Sequence, residues 1–216
     1  MSYSKPVSPS SLKLWKECPF KWADCYIHGN RQPPGAAAQR GTDLHNMLED
    51  FFNGSPYPSG NKTLAPWQRL MEGLAATDCT AEGEIAVDRN WQQIDYKSPF
   101  AYYRGKKDLH YEHGTTLNLY DWKSGKIYDD HEFQGASYAA MSPNYEIVNV
   151  RFVYLDHPHV IKSWTYTTQE VAAKRVEFST LIEEVRLAEE YPATPGDGCT
   201  WCHLSWRRGG TCKRAR

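Results

Sequence analysis

Two carboxylates and an amine carry the first chemical signal in this chain. Asp121, within Tyr120-Asp121-Trp122-Lys123-Ser124-Gly125, lies 13 positions after Asp108, which closes Gly105-Lys106-Lys107-Asp108. Residues two apart on a β-strand project from one face, so Asp121 and Lys123 point together. With Asp108 on a neighbouring antiparallel strand, both carboxylates and the ammonium converge. Hard oxygen ligands suit magnesium or manganese. A lysine beside such an ion can position or deprotonate an attacking water, or neutralise charge developing on a phosphate. Taken alone, Asp-x-Lys also fits an exposed strand with paired surface charges.

Other residues have spacings that could join this site. His45 and Glu49 are four apart, which places them on one face of a helix. His45 could reach a metal there and Glu49 could support it; the plainer role is a packed or solvated histidine. Arg40-Gly41 just upstream favours the closer reading, because glycine permits close backbone approach at the helix start. Gln134 and Tyr138 are again four apart and could orient a phosphate or the lysine. Glu84 opens a strand and could stand behind the metal, although an ordinary surface position fits it better. Cys199-Thr200-Trp201-Cys202 with Cys212 puts three cysteines in fourteen residues, a metal-ligand pattern lacking a fourth partner. Cys18, Cys25, Cys79 and His203 are the candidates, and both zinc and an iron-sulfur cluster fit by donor type.

Helices and strands must position these groups. Serine caps ahead of Leu12, Leu14, Trp15, Phe20 and Trp22 predict a first helix from about Ser10. Residues 29–38 read as a loop. Leu44, Met47, Leu48, Phe51 and Phe52 predict a helix over 40–52, and 64–76 predicts a third. Strands are expected at 84–88, 101–109 and 115–123 as an antiparallel meander, with Cys79 in a loop before them. A helix over 131–141 follows, then a hairpin of 147–155 and 160–166. Thr167-Thr168-Gln169-Glu170 resembles a capping box opening a long helix to about Glu190, ended by Pro192 and Pro195. The order predicts an α/β fold, with a helical lobe at 1–80, a catalytic core at 81–191, and a cysteine-rich tail at 192–216 packing on the N-terminal helix. No internal repeat or domain boundary is evident, so 1–216 reads as one domain.

The chain has 216 residues, with 40% hydrophobic and 24% charged, an ordinary globular mix. A net charge of -1 excludes a bulk polycation, so nucleic-acid binding would need local positive charge. Arg207, Arg208, Lys213, Arg214 and Arg216 supply it near the C-terminus. Aromatic Trp15, Tyr102, Tyr103 and Trp122 are candidates for stacking on splayed bases, with core packing as their ordinary role. No apolar run has the ~20 residues of a membrane span, and the N-terminus lacks an apolar signal core. The expected location is therefore the cytoplasm, where six cysteines suggest metal ligation over disulfides.

Taken in order, the motifs resemble the RecB-like branch of the PD-(D/E)XK nucleases, which includes CRISPR-adaptation nucleases and phage exonucleases. The branch pattern is S-x-x-L…C-P, G-x-x-x-H, G-x-x-D, D-x-K and Q-x-x-x-Y. This chain has Ser11-Leu12…Cys18-Pro19, Gly41 to His45, Gly105 to Asp108, Asp121-Trp122-Lys123 and Gln134 to Tyr138. The resemblance implies a restriction-endonuclease-like core, a central mixed sheet flanked by helices. It implies Asp108, Asp121, His45 and the Trp122 carbonyl as ligands of Mg2+ or Mn2+, Lys123 acting on water, and Gln134 and Tyr138 in support. A cluster-bearing subset implies a 4Fe-4S group on Cys18, Cys199, Cys202 and Cys212, stapling the chain ends. Two departures stand out: Lys107 precedes Asp108 where relatives carry an aliphatic residue, and the Cys202-to-Cys212 gap is longer than usual, which leaves zinc open. The implied activity is metal-dependent DNA hydrolysis, as an exonuclease on single strands or duplex ends. DNA recombination, a recombination-protein partner and a phage or bacterial origin are in keeping with it. The competing reading is a non-catalytic nucleic-acid-binding module built on the cysteine site.

Overall fold

Apolar residues on both sides of one strand define the middle of the sheet. In Thr116–Lys123, every residue from Leu117 to Trp122 is buried, as a central strand requires. The computed structural model describes residues 3–128 and 131–214. Its five strands are β1 (Cys79–Val87), β2 (Tyr103–His113), β3 (Thr116–Lys123), β4 (Ile147–Tyr154) and β5 (Ile161–Thr167), in the spatial order β1-β2-β3-β4-β5. All neighbours are antiparallel except β3 and β4, which run parallel. A parallel pair needs a crossover, and a helix (His131–Ala140) supplies it between β3 and β4. The result is an α/β fold with a mixed sheet flanked by helices.

The helices are α1 (Pro9–Glu17), α2 (Pro19–Tyr26), α3 (Ala36–Phe52), α4 (Gln68–Ala75), α5 (His131–Ala140) and α6 (Thr168–Leu187). The single first helix read from the sequence is two. Cys18 is extended, with φ -165°, because a residue before proline is pushed out of the α region; Pro19 then starts α2. Helix α3 begins earlier than its apolar stripe, since Ala36, Ala37 and Ala38 are strong helix formers that carry no stripe. Strand β1 also begins earlier, at Cys79, which therefore lies in the sheet rather than in a loop. The expected cap of α6 is present: Glu170 accepts from the Thr167 backbone N–H and hydroxyl, both at 2.8 Å. No helix among the described residues is long and apolar enough to cross a membrane.

Two compact units emerge, Met1–Pro33 with Ser179–Arg216, and Pro34–Phe178, the boundary falling within α6. In the larger unit, α3 and α4 bury Leu44, Leu48, Met71 and Leu74 against Leu109, Tyr120 and Trp122 of β2 and β3. Phe52 of α3 stacks on Trp122, with centroids 6.0 Å apart and an interplanar angle of 5°. In the smaller unit Trp22 is fully buried, donates to Ser11 Oγ at 2.8 Å, and meets Trp15 edge-on.

Candidate active site

Strand periodicity places the two acids and the amine as expected. Leu109 pairs with Tyr120, which sets Asp108 beside Asp121 across β2 and β3. Asp108 Oδ2 accepts from the Trp122 backbone N–H at 2.6 Å. Lys123 Nζ lies 2.5 Å from Asp121 Oδ1, with the two side chains 17% and 4% exposed. Among the described residues no hydrogen bond of good geometry falls on that Oδ1, although it is buried. The other carboxylate oxygen is well served: Asp121 Oδ2 accepts from Gln134 Nε2 at 2.9 Å and from the Tyr138 hydroxyl at 3.0 Å.

Gln134 and Tyr138 are the polar stripe of α5, a helix otherwise made narrow by Gly135, Ala136, Ala139 and Ala140. Small residues let the helix lie close over the sheet; a Cβ on Gly135 would meet Val150 Cγ1 at 3.4 Å. Gln134 uses both ends of its amide. Its Oε1 accepts from Lys123 Nζ at 2.8 Å, while Nε2 also donates to the Tyr138 hydroxyl at 2.7 Å. The pair thus orients the lysine and Asp121 together, which fixes the amine without spending a second charge.

Helix α3 brings the histidine. His45 Nε2 lies 2.9 Å from the Trp122 carbonyl oxygen, and Nδ1 lies 3.4 Å from Asp108 Oδ1. Gly41, one turn earlier, faces Ser124: a Cβ there would sit 2.9 Å from Ser124 Oγ and that hydroxyl would have to turn away. Arg40 anchors the helix by donating to both carboxylate oxygens of Asp156, whose Oδ2 also accepts from the Gly125 N–H at 2.6 Å.

Glu82 is the acid that sequence reading missed. It stands opposite Asp108 across β1 and β2, and its carboxylate, the Asp108 carboxylate and the His45 ring have ligand atoms all within 4.8 Å of one another. Its backbone has φ +49°, unusual for a non-glycine residue and common at functional sites. Glu84, for which an ordinary surface position fitted better than a place behind the metal, is exposed and pairs with Lys106 at 3.9 Å on the strand edge. Strand alternation puts Glu82 on the same face as Glu84 and does not choose between them. His45, Glu49, Glu82, Lys106 and Ser124 line an open cleft of about 520 Å³.

The charges strain against one another. Burial raises the Asp121 carboxyl above its ordinary value and Asp108 adds to this, while Lys123 and His45 pull it back. Burial, Asp108 and Glu49 all push Glu82 up. Burial disfavours a charged His45, but Asp108, Asp121 and the Trp122 carbonyl outweigh it and lift the ring to about 9. Three carboxylates crowded around one imidazole form an environment that a cation relieves. The donors fit a divalent ion: hard oxygens plus one imidazole.

Lys107, the departure from the aliphatic pattern, is buried at 7% exposure, and burial lowers its amine to about 8. Gly83 opposite makes the room: a Cβ there would meet the His110 ring at 2.7 Å and Lys107 Cε at 3.2 Å. The strand keeps its place because a glycine compensates for the longer side chain.

In the smaller unit, Cys18, Cys199, Cys202 and Cys212 line one cavity together with Lys21 and Arg214. Cys18 sits at the break between α1 and α2, and Cys212 bridges to Ser205. His203 Nε2 lies 3.0 Å from Asp24 Oδ2, so it faces away from a ligand role and holds the segment to α2. Cys25 and Cys79 do not line this cavity.

The five-stranded mixed sheet flanked by helices brings Asp108, Asp121 and Lys123 to one point. A sequence profile of the PD-(D/E)XK nuclease superfamily matches residues 6–207, and the chain belongs to that superfamily. Nucleases of this superfamily use divalent metals, in keeping with the His45, Glu82 and Asp108 group. Two solved structures share the fold. One is of SSO0001, at 13% identity and a TM-score of 0.57, covering 100% of this chain and 89% of the other. The second is a candidate exonuclease from Eubacterium rectale, at 11% identity and a TM-score of 0.56, covering 99% and 88%. No curated protein matches the sequence.

Proposed function

We propose that this chain is a divalent-metal-dependent deoxyribonuclease of the RecB-like branch, acting as an exonuclease on DNA ends or single strands. The observation that carries this reading is the meeting of Asp108, Asp121 and Lys123 with His45 and the Trp122 carbonyl beside an open polar cleft. His45, Asp108, Asp121 and the Trp122 oxygen would hold Mg2+ or Mn2+, with Glu82 as a further carboxylate from the cleft side. When bound, such an ion supplies Lewis acidity at the scissile phosphate and neutralises charge on the leaving oxygen.

The chain's own groups do the rest. Lys123, held by Gln134 and Asp121, has one ammonium proton left for the attacking water or for a phosphate oxygen. Water adds to phosphorus in line and gives up a proton to solvent as its O–P bond forms, while the bond from phosphorus to the 3′ or 5′ oxygen breaks and the departing oxygen takes a proton from solvent, so the net reaction consumes one water. Tyr138 is too buried to reach substrate and acts by fixing Asp121.

Four cysteines around one cavity support a metal centre in the smaller unit. A 4Fe-4S cluster is our reading, with zinc as the alternative; Lys21 and Arg214 on the cavity wall suit the negative charge of a thiolate cluster. Anaerobic purification with iron and zinc analysis separates them, and Cys199→Ala should lose the bound metal along with solubility.

The test is digestion of end-labelled DNA, single- and double-stranded, linear and circular, with Mg2+ or Mn2+. Linear DNA should be degraded and circles spared. Asp121→Ala and Lys123→Ala should be inactive yet folded. Labelled DNA left intact under every metal condition, or either variant cutting at the wild-type rate, refutes the assignment.

A further inference from the structure

The aromatics read from the sequence as stacking candidates are interior: Tyr102, Tyr103 and Trp122 are buried, and Trp15 is half-buried among Trp22 and Tyr191. The exposed indoles lie elsewhere. Trp201 is 80% exposed and Trp206 is 69% exposed. Both fall in the C-terminal segment, between Cys199 and Cys212. They are five residues apart in one short segment, and each offers an indole face to solvent.

Their neighbours share one sign of charge. Between Gly198 and Arg214 there is no Asp or Glu, while Arg207, Arg208, Lys213 and Arg214 are all present and exposed, in a chain of net charge -1. Stacking platforms flanked by cations are the composition of a single-strand binding surface. A protein partner would supply acids to match the cations, but would leave the parallel of aromatic and basic side chains unexplained. A duplex keeps its bases stacked inside and offers the indoles nothing to lie on.

The segment is also held in shape. Trp206 N–H donates to the Cys212 carbonyl at 3.1 Å, and Cys212 N–H to the Leu204 carbonyl at 2.8 Å. Gly209 turns the tip with φ +81°, and its N–H returns to the Trp206 carbonyl at 3.0 Å. Gly210 lies so close to Leu204 that a Cβ would stand 2.3 Å from its backbone. Leu204 and Ser205 form a buried root beneath the exposed tip. Trp206, Arg207 and Arg208 are therefore presented by a pinned loop, which lowers the ordering cost of binding.

We propose that Trp201 and Trp206, with Arg207 and Arg208, form a surface that grips single-stranded DNA, the indoles stacking on bases and the guanidiniums on phosphates. The proposal rests on the nucleic-acid part of the function above and not on its catalytic chemistry. Fluorescence anisotropy with labelled dT15 and with a blunt duplex, on the full chain without added divalent cation, tests it. The Trp201→Ala/Trp206→Ala double variant should bind dT15 at least tenfold more weakly and the duplex within twofold of wild type. Trp201→Phe/Trp206→Phe should recover most of the dT15 affinity, which separates stacking from misfolding. Arg207→Gln/Arg208→Gln should weaken both ligands and flatten the salt dependence. Affinity for dT15 within twofold of wild type in the alanine double variant, or an equal loss for duplex, overturns the proposal. A wild-type chain that degrades DNA but does not bind dT15 overturns it as well while sparing the nuclease assignment; one that binds but never cuts does the reverse.

Discussion

Replacing Lys123 by methionine removes an ammonium while keeping most of the side-chain volume, and the consequence can be worked from the site. Asp121 is buried, and its Oδ1 has the Lys123 ammonium at 2.5 Å as its counter-charge. At an effective dielectric of ~20 the direct attraction over that distance is roughly 7 kcal/mol, an upper bound before desolvation is counted. The carboxylate has an escape, because it can take a proton. From its ordinary value of 3.8, protonation at pH 7 costs about 4 kcal/mol, which caps the penalty. Breaking a buried pair from one side typically costs about 3–5 kcal/mol, so the two routes agree on about 3–4. At pH 5 the cap falls to about 2 kcal/mol, so the destabilisation should shrink on acidification. Adding Asp121→Asn removes the stranded charge and should restore at least about 2 kcal/mol at pH 7. Urea denaturation of the wild type, both single variants and the double variant, without divalent metal, measures this. A coupling under about 0.5 kcal/mol at pH 7, or a double variant as unstable as Lys123→Met, refutes the buried-pair account.

Three further outcomes follow from other parts of the site. Glu82→Gln should lower Mn2+ affinity by about tenfold, as expected of an outer or partial ligand, while leaving metal-free stability unchanged or higher, since Asp108 and Glu49 repel the native carboxylate; unchanged calorimetric affinity would exclude Glu82 from the metal site. His45 is raised to about 9, so its contribution to metal-free stability is complete below about 6.5 and is lost as pH rises through about 9. A metal needs the neutral ring, so Mn2+ affinity should climb from pH 7 to 9, and His45→Gln should abolish that climb; an identical slope in the variant would assign it elsewhere. Gly83→Ala should cost about 1–3 kcal/mol by thermal unfolding, because its methyl meets the His110 ring, and His110→Ala in the same chain should restore most of it.

Much of the site was legible because periodicity within one element reports which side chains share a face. Asp121 and Lys123 are two apart on a strand; Gln134 and Tyr138 are four apart on a helix; both pairs meet as their spacing requires. Gly41 before His45 likewise marked a close approach, and Ser124 Oγ is what lies there. The spacing of Cys199, Cys202 and Cys212 left their fourth partner open, and the folded chain puts Cys18 on the wall of the same cavity.

Relations between elements were not legible, since they depend on register and packing over long separations. Glu82 became part of the site only when β1 paired with β2 so that Glu82 faced Asp108, and no local pattern distinguishes it from Glu84. Lys107 looked out of place until Gly83, on another strand, was found to make space for it. Aromatic composition alone could not separate buried Tyr103 and Trp122 from exposed Trp201 and Trp206, because an indole is equally apolar in both settings and only the tertiary fold decides which is covered. Sequence thus determined which residue types could do phosphodiester chemistry and which of them share a face; the folded chain decided which acids gather around His45 and which aromatics remain in water.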